Sequence, residues 1–162
     1  MKSYLSRSFL VVLIMLLFLP ALLFSVEKTL TTKRDLVSGR IISGRIDLSD
    51  EGQSYQTYKF KVNEGTFAAR ISLSNSSADL DIFVKRGTEI QSYDLVDYYG
   101  TEEDFNESIL ITRLSELPLE DDIYYVDISY QRDILPIIDG KKSTSISYNI
   151  VLELEEYQVT DS

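Results

Sequence analysis

In several stretches between residues 55 and 154, apolar and polar positions alternate with a period of two. Tyr58, Phe60 and Val62 fall on one face, and Thr57, Lys59 and Lys61 on the other. Phe67, Ala69, Ile71 and Leu73 alternate with Ala68, Arg70 and Ser72, and Tyr124, Val126, Ile128 and Tyr130 make the apolar face of residues 123–130. The most regular stretch sets Ile146, Tyr148, Ile150, Leu152 and Leu154 against Ser145, Ser147, Asn149, Val151 and Glu153. Successive side chains of a strand project to opposite faces, so this period predicts strands with one buried and one wet face. Residues 40–48 and 108–113 add two further strands. No segment after residue 25 carries a 3.6-residue apolar period. The predicted class is all-β: an antiparallel two-sheet β-sandwich, jelly-roll-like, behind an N-terminal signal helix.

The punctuation agrees with that class. Gly39, Gly44, Gly52, Gly65, Gly87, Gly100 and Gly140 each fall at a predicted turn or strand end, and Pro118 and Pro136 lie in connections. Two connections are long. Residues 86–106 carry Tyr93, Tyr98 and Tyr99 among acidic residues, and residues 131–142 carry Leu135, Ile137 and Ile138 around Pro136. Connections of this length in a small domain commonly hold function.

The N-terminus follows another rule. Lys2 and Arg7 precede an apolar run, Phe9 to Phe24, interrupted only by Pro20. A basic start followed by such a run describes a secretory signal peptide over residues 1–25, with Ser25 the last residue removed. The run is close to the ~18–20 residues that span a bilayer, so an uncleaved anchor is the alternative and the only route to membrane contact. Either way the remainder is expected to be exported, to the periplasm or beyond. It divides into an N-terminal extension (26–35), the sandwich (36–154) and a polar tail (155–162) expected to fray.

Charge and missing residue types narrow the chemistry. Without Lys2 and Arg7, the 16 basic residues become 14 against 26 acidic, a net charge of −12 beyond the signal segment. Such a surface repels nucleic acid and anionic headgroups and suits a solvated exported protein. With neither histidine nor cysteine in the chain, the usual triads, thiol nucleophiles, disulfides and most zinc sites are unavailable. An enzyme is not expected, and no cofactor is implied.

The order of motifs resembles a known family. A Gly-containing strand (Ser43-Gly-Arg-Ile46) is followed by Tyr55-Gln-Thr-Tyr-Lys-Phe-Lys-Val62 and Asn63-Glu-Gly65. Ala78-Asp-Leu-Asp-Ile-Phe-Val84, Asn106-Glu-Ser-Ile-Leu-Ile111, Tyr124-Tyr-Val-Asp-Ile128 and Tyr148-Asn-Ile-Val-Leu152 come after it. The series, spanning residues 36–154, resembles the bacterial pre-peptidase C-terminal domain, a β-sandwich appended to secreted peptidases and other exported proteins. Members usually carry a Gly before the Tyr-Tyr-Val strand, where this chain has Asp121-Asp-Ile123. The resemblance implies a non-catalytic module that acts by binding a protein or cell-surface partner. No catalytic domain precedes it, so that partner is expected to be encoded elsewhere.

Two groups of residues are candidate sites. Asp79 and Asp81 stand two apart, which in a strand places both carboxylates on one face, ~6.5–7 Å apart. A calcium ion could bridge them if other oxygens completed six to eight ligands. Collagen-binding relatives hold calcium elsewhere, and the matching positions here offer Asp50 and Glu51. The plainer role for Asp79 is to accept hydrogen bonds from backbone N–H groups of the Ser76-Ser77 turn, locking the junction between turn and strand. The second group, Tyr93, Tyr98 and Tyr99, breaks the strand alternation and is the candidate partner-binding site. Exposed rings serve as hot spots for a protein or as platforms for a sugar face. The alternative function is therefore a carbohydrate-binding jelly-roll module that takes polysaccharide on the same tyrosines.

Overall fold

The computed structural model describes residues 33–49, 54–101, 103, 105–132 and 135–157. The signal segment, Asp50, Glu51 and the end of the tail lie outside the described residues. Strands β2 (Ile41–Asp47), β4 (Thr66–Ser74), β7 (Ser108–Thr112) and β11 (Ser145–Glu156) form one sheet in the order β2-β11-β4-β7. The second sheet takes β1 (Arg34–Asp35), β3 (Tyr55–Lys61), β5 (Asp81–Arg86), β6 (Tyr98–Gly100) and β8 (Ile123–Ser129) in the order β1-β3-β8-β5-β6. All pairings in the two sheets are antiparallel except the short β1 on β3. This is the expected all-β sandwich.

The two apolar faces meet as the period of two requires. Tyr58, Phe60, Tyr124, Val126, Ile128, Ile82 and Val84 from the five-stranded sheet pack with Ile46, Ala69, Ile71, Ile111, Ile146, Ile150 and Leu152 from the other. At the centre the hydroxyls of Tyr58 and Tyr148 meet at 2.9 Å, each supplying the other's partner in a dry interior. Burial of this kind stabilises by roughly 25 cal/mol per Å² of apolar surface, so the alternating residues supply most of the driving force.

Local chemistry explains the turns. β3 leads into β4 through Asn63-Glu64-Gly65, where Thr66 N–H donates to Asn63 C=O at 3.2 Å and Gly65 takes φ +90. That conformation is open to glycine and strained for other residues. Gly44 corrects the expectation that every glycine marks a turn or strand end. It sits inside β2, directly opposite Tyr148 on β11, because the tyrosine ring lies over the space where a side chain would stand.

The connections hold more structure than their composition suggests. Residues 131–142 contain a small hairpin of β9 (Ile137–Ile138) and β10 (Lys141–Lys142). β11 runs two residues into the polar tail, and Tyr157 N–H donates to Gly65 C=O at 3.0 Å. Residues 87–97 contain one 3₁₀ turn, Tyr93–Leu95, before the chain re-enters the sheet as β6.

Candidate functional site

Asn75 opens the turn between β4 and β5 with φ +52. The Ser76 hydroxyl then closes the turn, donating to the Ala78 carbonyl and accepting from the Ala78 N–H at 3.4 Å. Ser76, not Asp79, is the turn lock. Asp79 lies ahead of β5, which begins only at Asp81, and its Oδ2 accepts from the Arg132 guanidinium. A serine hydroxyl can donate as well as accept, so it satisfies both groups of the turn and leaves the aspartate to a cation. The other oxygen, Oδ1, is buried without a hydrogen-bond partner among the described residues.

Asp81 is half-buried, and burial, reinforced by the neighbouring Asp79 charge, pushes its carboxyl above the ordinary range. A cleft of about 310 Å³ opens beside Asp79 and Arg132, walled by Tyr130, Phe105 and Ile137. Calcium fits this arrangement poorly. One of the two carboxylates is engaged by an arginine, and among the described residues no group of three acidic side chains converges on a point.

The three tyrosines of the acidic connection go to different environments. Tyr93 folds back over the outer face of the five-stranded sheet and stacks on Phe83, with ring centroids 4.1 Å apart. Its burial there pushes the phenol up to about 12. Tyr98 turns inward at the sheet edge, packs against the core and donates from its hydroxyl to the Leu117 carbonyl at 3.0 Å. Its phenol too is pushed up to about 12 by burial. Tyr99 is 69% exposed. The sequence groups these rings as one surface; strand pairing sorts them, because Tyr98 lies opposite the core-facing Val84 and Tyr99 opposite the outward Phe83.

Around Tyr98 and Tyr99 a cleft of about 430 Å³ lies where the free edges of both sheets, β6 and β7, come together. Leu110 and Leu117 line it and are half-exposed, and Glu116 and Asp97 give it an acidic margin. The leucines escape sequence reasoning because Leu110 sits on the outer face of β7 and Leu117 in an irregular connection, where no period marks them.

Cross-strand register extends the surface inward from Tyr99. Tyr99 on β6 faces Phe83 on β5, Phe83 faces Asp127 on β8, and Asp127 faces Thr57 on β3. Four residues thus form one row across the outer face. Asp127 is only 4% exposed, and its Oδ1 accepts from the Thr57 hydroxyl at 2.7 Å. Burial pushes its carboxyl up to about 6, although the Thr57 hydrogen bond opposes the rise. Asp127 was legible only as a polar position on a wet face; Tyr93 and residues 90–92 of the long connection line a cleft with it.

No family model and no curated protein sequence matches the chain. Solved structures do. The chain is similar to the pre-peptidase C-terminal domain of a collagenase from Bacillus anthracis, with 13% identity, a TM-score of 0.51 and 75% of this chain and 94% of that chain covered. It is also similar to PliG of Aeromonas hydrophila, a periplasmic inhibitor of g-type lysozyme, with 8% identity and a TM-score of 0.50 over 76% of this chain and 96% of that one. PliG of Salmonella Typhimurium aligns at 19% identity over 75% and 98% of the two chains, with a TM-score of 0.38. At these identities the first two likenesses establish the fold alone, which is the one the order of sequence motifs implies.

Proposed function

We propose that the chain is an exported, non-catalytic binding module that grips a protein partner through the outer face and free edge of its five-stranded sheet, centred on Tyr99. The observation that carries this reading is a large ring left 69% exposed on a hydrogen-bonded strand, beside the half-exposed Leu110 and Leu117. An exposed aromatic residue on a paired strand, beside half-exposed leucines and an acidic margin, has the anatomy of a protein-binding hot spot. The negative charge of the domain favours a basic partner. The basic start and apolar run of residues 2–24 support export.

Two further observations argue against catalysis. Histidine and cysteine are absent from the sequence. Asp127 has the raised pKa of a general acid, but it is the only acidic residue among the described residues that line its cleft, whereas carboxylate catalysis uses a pair. The fold neighbours point the same way: one is an accessory domain of a peptidase, the other an inhibitor that binds a lysozyme.

The test is a direct binding measurement on a defined panel containing g-type lysozyme, exported peptidases and polysaccharides. Saturable binding to a protein is expected, weakened at least about tenfold in Tyr99→Ala. Polysaccharide binding lost in the same variant would instead support a carbohydrate-binding module. Protein binding indifferent to Tyr99→Ala would overturn the site.

A further inference from the structure

Two strands along the outer face from Tyr99 lies a second cleft, of about 400 Å³, with a composition unlike the first. Asp127 lies among its lining residues with Tyr55 and Tyr93, and Ser54, Ile90, Gln91 and Ser92 complete the lining. Tyr55 lies on β3, two residues from Thr57 and therefore on the same face, and Tyr93 is stacked on Phe83.

The charge of Lys33 acts on the carboxylate in this cleft, but no ion pair reaches it among the described residues. Among the described residues no lysine or arginine nitrogen comes within 4 Å of it. The nearby Lys33 is engaged by Glu89 and lies 5.6 Å from the centroid of the Tyr125 ring. Thr57 occupies Oδ1 of Asp127, and Oδ2 receives no hydrogen bond among the described residues. A buried carboxylate with one oxygen free, bordered by aromatic rings, is complementary to an organic cation.

We propose that this cleft receives the ammonium group of a lysine side chain presented by the protein partner, with Asp127 as counter-ion and Tyr55 and Tyr93 as aromatic walls. The inference rests on the binding-module reading and deepens it. A single available oxygen suits a compact ammonium better than the two-pronged guanidinium of arginine. A hard metal ion would need several more oxygen ligands than one carboxylate and hydroxyls provide. Two strand spacings, about 10 Å, separate Asp127 from Tyr99 along their shared row, so one partner surface can reach both.

Around Asp127 on the outer face stand Lys33 ahead of β1, Tyr55, Thr57 and Lys59 on β3, Asp81, Phe83 and Lys85 on β5, Tyr125 and Ser129 on β8, and Glu89 and Tyr93 from the 87–97 segment; Lys59 is engaged by Asp35 and Lys85 by Asp97. Asp127 is the carboxyl that lines the cleft, and burial pushes it up to about 6. Affinity for the ammonium is therefore expected to fall as Asp127 gains a proton, between pH 7.5 and 5.

The experiment is an NMR titration of the full-length chain with a blocked Gly-Gly-Lys-Gly-Gly peptide. Its norleucine and arginine counterparts and n-butylammonium serve as comparisons. Expected are shifts confined to residues around Tyr55, Thr57, Tyr93 and Ser129 with the lysine peptide. They should be absent with norleucine, weaker with arginine, at least about tenfold weaker in Asp127→Asn, and retained in Tyr99→Ala. Equal response to lysine and norleucine, or an unchanged response in Asp127→Asn, overturns the proposal. Tighter binding of n-butylammonium than of the lysine peptide overturns the assignment to a protein side chain. Partner binding lost in Tyr99→Ala but retained in Asp127→Asn removes the lysine site and leaves the binding module standing.

Discussion

Gly44 stands opposite Tyr148 in the β2–β11 ladder, and a methyl group built on it would lie 2.3 Å from the tyrosine Cζ. The ring cannot step aside, because it is 2% exposed and its hydroxyl is tied to Tyr58. Gly44→Ala is accordingly expected to destabilise by about 1–3 kcal/mol, seen as a lower Tm with no change in the β-rich circular dichroism spectrum. Asp127 works in the opposite direction. Its folded-state pKa of about 6 lies above the ordinary 3.8. The folded chain therefore binds more protons than the unfolded chain between these values, and stability falls as pH rises through that window. Above pH 6 the buried charge costs the fold up to about 3 kcal/mol. Asp127→Asn, which keeps an acceptor for Thr57, should raise Tm by several degrees at pH 7.5 and bring no gain at pH 3.5. Neither residue advertises its role in sequence. Gly44 reads as punctuation and Asp127 as a solvated polar position, since each is defined by what a distant segment lays across it.

The element that decides the outer face is the segment 87–97. Its return into the sheet is pinned by Asp97. That carboxylate accepts from Arg86 N–H at 2.7 Å and from Lys85 Nζ at 2.9 Å, while Asp97 N–H donates to Val84 C=O at 2.9 Å. Burial pushes the Asp97 carboxyl up, but these two donors outweigh it and hold the pKa below the ordinary value. A depressed folded pKa means the stabilisation is present above 3.8 and lost as pH falls through the folded value. Asp97→Ala should cost about 1–3 kcal/mol. Limited proteolysis should then cut within 87–97 before the rest of the domain, and Tyr93 should lose its protection. In sequence this connection is long, acidic and rich in tyrosine, and no period along it separates its rings. Their sorting needs the register of β6 on β5, which a three-residue strand cannot announce through periodicity.

At the scale of the whole molecule, two sheets enclose one core and leave their β6 and β7 edges side by side. A free strand edge attracts other strands unless it is short or charged. β6 is three residues long, and Glu116 and Asp97 border the cleft beside it. Tyr99→Ala touches none of the core, so its Tm should match the parent within error while partner binding falls. That separation of stability from binding distinguishes a contact residue from a packing residue.

The strand faces, the all-β class and the family-like order of motifs follow from the sequence alone. An alternating pattern can be buried in only one register, and a one-residue slip would expose the core. The chain's acidity and its lack of histidine and cysteine are likewise fixed by composition. Tertiary structure alone decided that Ser76 rather than Asp79 closes the turn, that Asp79 pairs with Arg132, and that Tyr93 covers the sheet while Tyr99 remains outside. It also set Asp127 in one cleft with residues 90–93 and aligned it with Tyr99. Periodicity reports which face of its own strand a residue occupies. What covers that face comes from segments tens of residues away, and only the packed chain brings them together.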